Sequence, residues 1–256
     1  MRRLLLILAT MLFSAPALAA GGDAKLQHVD WSFNGPFGTF DQSSLQRGFQ
    51  VYTEVCSSCH SLEYIAFRNL ADLGYNEAEI KAIAAQYDVV DGPNDEGEMF
   101  TRPGIPADRF PSPYENEQAA RAANGGAYPP DLSLMVKARP NGADYLYSLL
   151  VGYVDAPEGT AVPDGMYYNE SYGGGMIAMP QPLYGDDVEY ADGHPATVEE
   201  HAKDLTAFLA WAAEPEMESR KRIGVASIFF LLLMTVLSYF AMRFIWADVK
   251  KAKASL

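Results

Sequence analysis

Apolar residues recur along this chain with a helical period in some stretches and with no period in others. Leu45, Phe49, Tyr52 and Cys56 fall at i, i+4, i+7 and i+11, which predicts a helix over residues 43 to 56 with Asp41 or Ser43 as its cap. Asn76-Glu77-Ala78-Glu79 has capping-box spacing and opens an Ala-rich helix to about Tyr87. A short helix is predicted over 116–123, closed by Asn124-Gly125-Gly126, and another over 143–152 with Tyr145, Leu146, Leu149 and Leu150 as its apolar side. Thr197-Val198-Glu199-Glu200 is a second capping box. It starts a helix with Leu205, Phe208, Leu209 and Ala212 on one face, and Glu214-Pro215 interrupts that helix. Residues 91–113 and 155–195 are rich in Gly and Pro, the first also in acids and the second in Tyr, and read as loops. The fold class is therefore mainly α with long loops. Loops of that length need something to pack on, and a large apolar cofactor would supply it.

Two runs break the amphipathic pattern. Arg2 and Arg3, the apolar Leu4 to Phe13 and the small-x-small Ala17-Leu18-Ala19 have the layout of a secretory signal peptide, so residues 1–19 are expected to be cleaved. Residues 223–242, IGVASIFFLLLMTVLSYFAM, hold no charge and would span about 30 Å as a helix, the thickness of a hydrocarbon core. The basic flanks are too evenly matched to orient this segment. The signal peptide orients it: residues 20–219 form an exported body, 223–242 a transmembrane helix, and 243–256 a cytoplasmic tail.

The exported body carries ten Lys or Arg against 32 Asp or Glu. That balance excludes nucleic acid as a partner, since phosphates would be repelled. It suits solubility or the steering of a basic protein. The only two cysteines stand in Cys56-Ser57-Ser58-Cys59-His60. A redox dithiol would need a strand before the motif and a helix after it, and structural zinc would need two more regularly spaced ligands. Neither pattern is present in the sequence. Covalent haem attachment uses every residue of the motif: two thiols for two vinyl groups, and His60 as axial ligand. Leu62, Tyr64, Ile65 and Phe67 are then candidates to line a pocket. For the second axial ligand, Met179 and Met176 compete in the Gly-rich segment Gly173 to Pro180, a thioether suiting an electron carrier, and His194 and His201 are further candidates. Met99, Met135, Met166 and Met217 read as packing residues, and His201 reads as a solvated residue on the polar part of its helix.

Several segments together resemble the cytochrome c1 family. They are CSSCHSLEYIAFRNL at 56–70, DGPNDEGEMFTRPG at 91–104, AARAANGGAYPPDLS at 119–133, DYLYSLLVGY at 144–153, MIAMPQPL at 176–183, DGHPAT at 192–197 and WAAEPEMESRKR at 211–222. The resemblance covers nearly the whole chain after residue 20. It implies a cytochrome c-type haem domain with one covalent haem c held by Cys56 and Cys59, axial ligands His60 and Met179, and Arg121 near a haem propionate. It also implies an electron-transfer subunit of a quinol:cytochrome c oxidoreductase rather than a catalyst alone. Its partners would be cytochrome b, a Rieske iron–sulfur protein as donor and a soluble basic cytochrome c as acceptor. The location implied is the bacterial inner membrane, with the haem domain in the periplasm. The readings it competes with are a stand-alone membrane-anchored shuttle and a haem peroxidase or gas sensor.

Overall fold

The computed structural model describes residues 24–254; the expected signal peptide lies outside the described residues. Helix α1, Gln42–Glu54, is capped by Asp41, whose Oδ1 accepts from the Ser44 amide at 3.0 Å. It lies along α6, Val198–Ala213, and this pairing is the most extensive in the fold. The two backbones touch at Gly48, where a Cβ would stand 2.1 Å from the Asp204 carbonyl oxygen. Phe49, Tyr52, Phe110 and Phe208 interlock around this seam at centroid separations of 5.6 to 6.2 Å. Each such side chain stabilises the fold by about 1.5–3 kcal/mol through burial. The seam also holds a buried charge: Asp204 accepts from Arg47 Nε at 2.6 Å and Ser44 Oγ at 2.5 Å. Removing one partner would strand the other in an apolar setting.

Around the seam stand α2 (Glu77–Ala84), α3 (Glu117–Ala123), α4 (Met135–Ala138) and α5 (Gly142–Val151). Asn76 and Glu79 form the capping box expected for α2, but the helix stops at Ala84 rather than near Tyr87. The chain then enters β1, Asp88–Asp91, which pairs antiparallel with β2, Phe100–Pro103. This hairpin occupies part of the stretch read as loop. Its strands are four residues long and mostly exposed, so no hydrophobic alternation announces them. Arg102 fastens it, paired with Asp91 and with Asp108. A second miniature pair, β3 (Tyr167–Tyr168) with β4 (Met176–Ile177), lies inside the other long loop. The N-terminal segment is clipped to α5 by Asp144, which accepts from Trp31 Nε1 at 2.7 Å and pairs with His28 Nδ1 at 2.7 Å.

Some expectations fail on contact with packing. His201 is fully buried, its Nε2 3.0 Å from the Val188 carbonyl and its ring edge-on to Tyr190. The chain segment around Val188 covers a helix face that the sequence leaves open to water. Thr197 caps α6, accepting from the Glu200 amide at 3.3 Å, while the Glu200 carboxylate turns to His194 instead of closing the box. Met99 is exposed, beside the hairpin strand β2, rather than packed. Leu62, Ile65 and Phe67 enter the main core, and Tyr64 points outward. Beyond Glu214-Pro215-Glu216, α7 runs from Met217 to Ala254. Its stretch Met217–Ala247 is long and apolar enough to cross a membrane, and the window that qualifies it is not buried against the body.

Candidate functional site

The Cys56–His60 motif begins where α1 ends. Cys56–Ser58 forms one turn of 3₁₀-helix, and the Cys56 carbonyl accepts from both the Cys59 amide (3.1 Å) and the His60 amide (2.9 Å). This tight turn brings both thiols and the imidazole into five consecutive residues of fixed backbone. The cysteines are not bonded to each other. Burial, with a smaller contribution from Cys59, pushes the Cys56 thiol up to about 12. A redox dithiol needs the opposite, a readily formed thiolate. Among the described residues no group of three or more His, Cys, Asp or Glu is placed to hold a metal ion.

His60 is oriented by a polar clasp. Its Nδ1 lies 2.8 Å from the Pro130 carbonyl oxygen, which can only accept, so Nδ1 carries the proton and Nε2 keeps its lone pair. Burial lowers the His60 pKa below its ordinary value, against the opposing pull of the Pro130 carbonyl and of Asp131. A neutral imidazole with one free nitrogen and the other held by a carbonyl is the form that ligates a metal. Asp131 fastens the two strands of the clasp. Its Oδ2 accepts from Ser61 Oγ and the Glu63 amide, both at 2.8 Å, and its Oδ1 from the Ser133 amide at 2.9 Å. The Leu132 amide adds a bond to the Ser61 carbonyl at 2.9 Å, and Tyr52 Oη donates to the His60 carbonyl at 3.2 Å. The PPDLS segment carries a legible motif, yet nothing in its spacing announces that Pro130 and Asp131 serve His60. That pairing spans about seventy residues and exists only after folding.

Cys59 borders a cleft of about 140 Å³ shared with Tyr114, Glu117, Ala120 and Tyr128. Arg121 sits beside it on α3. Its guanidinium pairs with Glu117 at 2.8 Å, donates to the Gly126 carbonyl at 2.9 Å and lies over the Tyr128 ring. It is half exposed. Met179 stands on a different segment, just beyond β4, and its carbonyl accepts from Tyr153 Oη at 3.0 Å. Its rival Met176 is a residue of β4, paired with Tyr168. The other histidines have local partners: His28 with Asp144, His194 with Glu200, and His201 with the Val188 carbonyl. A larger cleft, about 510 Å³, lies on the far side of α1 between Arg47, Tyr75 and Tyr190, and contains none of these residues. Taken together, two thiols in one turn and an imidazole with a committed Nδ1 fit a covalently attached haem.

Comparison with known proteins agrees with the motif. The model of the cytochrome C1 family matches residues 31–249. The cytochrome c1 1 heme protein of Arabidopsis thaliana mitochondria is 51% identical over 246 residues, covering 95% of this chain and 80% of its own. Cytochrome c1 of Rhodospirillum rubrum is 46% identical over 250 residues, covering 91% and 92%. A protein of Bradyrhizobium diazoefficiens named cytochrome b/c1 is 51% identical over 254 residues, and this chain spans only 37% of its length. With a family model matched over most of its length and relatives at about half identity on either side of the bacterial–mitochondrial divide, the chain belongs to the cytochrome c1 family, whose members are haem proteins.

Proposed function

We propose that this chain carries a single haem c, bonded through Cys56 and Cys59, with His60 and Met179 as axial ligands and Arg121 beside a propionate. It passes single electrons from a Rieske iron–sulfur protein to a soluble basic cytochrome c, as one subunit of a quinol:cytochrome c oxidoreductase that also contains cytochrome b. The body, 20–219, lies in the periplasm, and α7 anchors it in the bacterial inner membrane with the C-terminus in the cytoplasm. The observation that carries this reading is the bond from His60 Nδ1 to the Pro130 carbonyl, within a turn that presents two cysteines. The bound haem supplies a reversible one-electron couple.

The chain's own residues would fix that couple. The His60 clasp holds the ring and sets its tautomer, while a Met179 thioether on the iron would favour its reduced form and so raise the potential. The side chain of Arg121 has two acceptors, Glu117 and the Gly126 carbonyl, and would exchange or share one with a carboxylate of the porphyrin. Part of the acidic surface is already engaged: Asp91 and Asp108 on Arg102, Asp192 on Arg47, and Asp187 on the amides of Tyr184 and Gly185. Asp95, Glu96 and Glu98, exposed at the hairpin turn, are free of such duties and are the better candidates to steer a basic acceptor.

A pyridine haemochrome spectrum of the purified, exported protein tests the central point. A c-type spectrum whose colour survives acid–acetone extraction is expected. A colourless product, or pigment lost to the solvent, overturns the reading. Carbon monoxide separates the carrier from a gas-binding protein: the reduced protein should not bind it when both axial positions are filled.

A further inference from the structure

We propose that the loop Phe33–Phe40 is a second membrane contact, inserting Phe37 at the headgroup–acyl boundary beside the start of α7. The proposal rests on α7 crossing the bilayer. The loop, FNGPFGTF, is closed at its base by the Thr39 amide to the Ser32 carbonyl (3.0 Å) and the Asn34 amide to the Trp31 carbonyl (3.0 Å). The chain doubles back so tightly at Gly38 that a Cβ there would stand 2.1 Å from the Asn34 carbonyl oxygen, so only glycine fits this turn. Phe33 stacks on the buried Trp31 at 5.4 Å and meets Phe40 at 5.2 Å, so two of the three loop phenylalanines face the body. Phe37, at the tip, is 80% exposed.

Two contacts fix the loop's height along α7. The Phe40 amide donates to Glu218 Oε1 at 2.8 Å. Lys221 Nζ donates to the Gly38 carbonyl at 2.9 Å and the Phe33 carbonyl at 2.6 Å. Glu218 and Lys221 both lie in the first turns of α7, about 4.5 Å apart along its axis, so the base of the loop is tied beside the start of the apolar stretch. Lys221 lies only about 3 Å of axis above Ile223, where that stretch begins. Phe37 is the next residue beyond Gly38. The neighbours of Phe37 at the tip are Asn34, Gly35, Pro36 and Gly38. A lone aromatic with polar and glycine flanks is a small patch for a protein interface, whereas a phenylalanine of this kind can seat at the headgroup–acyl boundary of a bilayer. Arg222, exposed one residue before the apolar stretch, would face lipid phosphates.

With Cys56 and Cys59 taken up by haem as proposed, one introduced cysteine gives one label on this chain, and the label on the unsubstituted complex is subtracted. Phe37→Cys, Tyr184→Cys and Leu232→Cys would each be labelled with bimane in the intact complex, in phosphatidylcholine nanodiscs. Quenching by a shallow lipid nitroxide is then compared with quenching by aqueous iodide. The proposal expects the label at position 37 to be quenched by the lipid nitroxide about two-fold more than the label at the water-exposed position 184, and less by iodide. Iodide quenching equal to that at 184 overturns it, as does shielding from both quenchers, which would mean a protein neighbour. The Leu232 label separates the two readings. Lipid quenching there with a wet position 37 removes only the loop contact, whereas iodide access at 232 removes the anchor and the proposal together.

Discussion

The two sides of α1 are built on different physics. On one side its Leu45, Gly48, Phe49 and Tyr52 face meets α6 in an aromatic seam, crossed by the pairing of the buried Asp204 with the partly buried Arg47. At its C-terminal end the same helix runs into the Cys56–His60 turn, where the neighbouring chain is joined by hydrogen bonds: Pro130 to His60, and Asp131 to Ser61 and Glu63. The seam is specified by shape and volume. The clasp is specified by direction, since each bond demands one donor at one angle. The helix pair is held by the packing of its own side chains, whereas the loops at 155–195 rest on two-residue strands and a few side-chain bonds. The difference predicts that haem loss loosens the clasp side and leaves the seam.

The sharpest way to break that contrast is Cys59→Ser. Stable holoprotein should nearly vanish, with residual apoprotein retaining helix by circular dichroism but showing fast hydrogen exchange over 155–195. Uniform protection across both regions would show that the cofactor does not hold the loops. Next in size is Gly48→Val, which drives a branched side chain into the Asp204 backbone. It should lower stability by roughly 3 kcal/mol or more in denaturant titration while leaving the haem spectrum of the surviving folded fraction unchanged. Met179→Leu should keep covalent haem and stability but lower the reduction potential and admit carbon monoxide. An unaltered potential would move the sixth ligand elsewhere. Asp131→Asn should cost about 1–2 kcal/mol and shift the potential, because it slackens the strand that presents the Pro130 carbonyl. If stability falls without any change in potential, Asp131 is a structural tie and nothing more.

The smallest effect concerns the N-terminal clip. The pKa of His28 is raised, chiefly by its hydrogen bond to Asp144. Its contribution is therefore complete below the ordinary value of 6.5 and fades as pH rises through the higher folded value. Asp144, although partly buried, is held below the usual carboxylate range by His28, Trp31 and the Val29 amide, so its share is lost only as pH falls through that lowered value. The protection factor of the Val29 amide, its exchange rate corrected for base-catalysed intrinsic exchange, should fall modestly from pH 6 to 8, and His28→Asn should abolish that fall.

The helices are legible because amphipathic period and caps are local properties: Asp41, Asn76 and Thr197 all cap where the sequence places them. The hairpin at 88–103 is not, since its four-residue exposed strands are held by the Arg102 pairings rather than by an apolar face. His201 misleads because solvation depends on what lies over a helix, and Val188 and Tyr190 arrive from a loop with no period of its own. At the site, Cys56, Cys59 and His60 are readable as neighbouring letters of a chemical motif. Pro130, Asp131 and Tyr153, which support the candidate ligands, are not, since their roles depend on contacts between distant segments.

The joint at Glu214-Pro215-Glu216 has a mechanical consequence. Glu214 is gripped by both Lys137 and Arg220, and Met217 is buried just beyond it, so the short link between α6 and α7 leaves little room for swivel. Since α6 also carries α1, with α7 in a bilayer as proposed the motif would be mounted like an instrument on a braced mast, at a set altitude over the lipid. Redox partners would then have to travel to it, and the rate of charge traffic would depend on how fast those visitors arrive and leave rather than on any bending of the support.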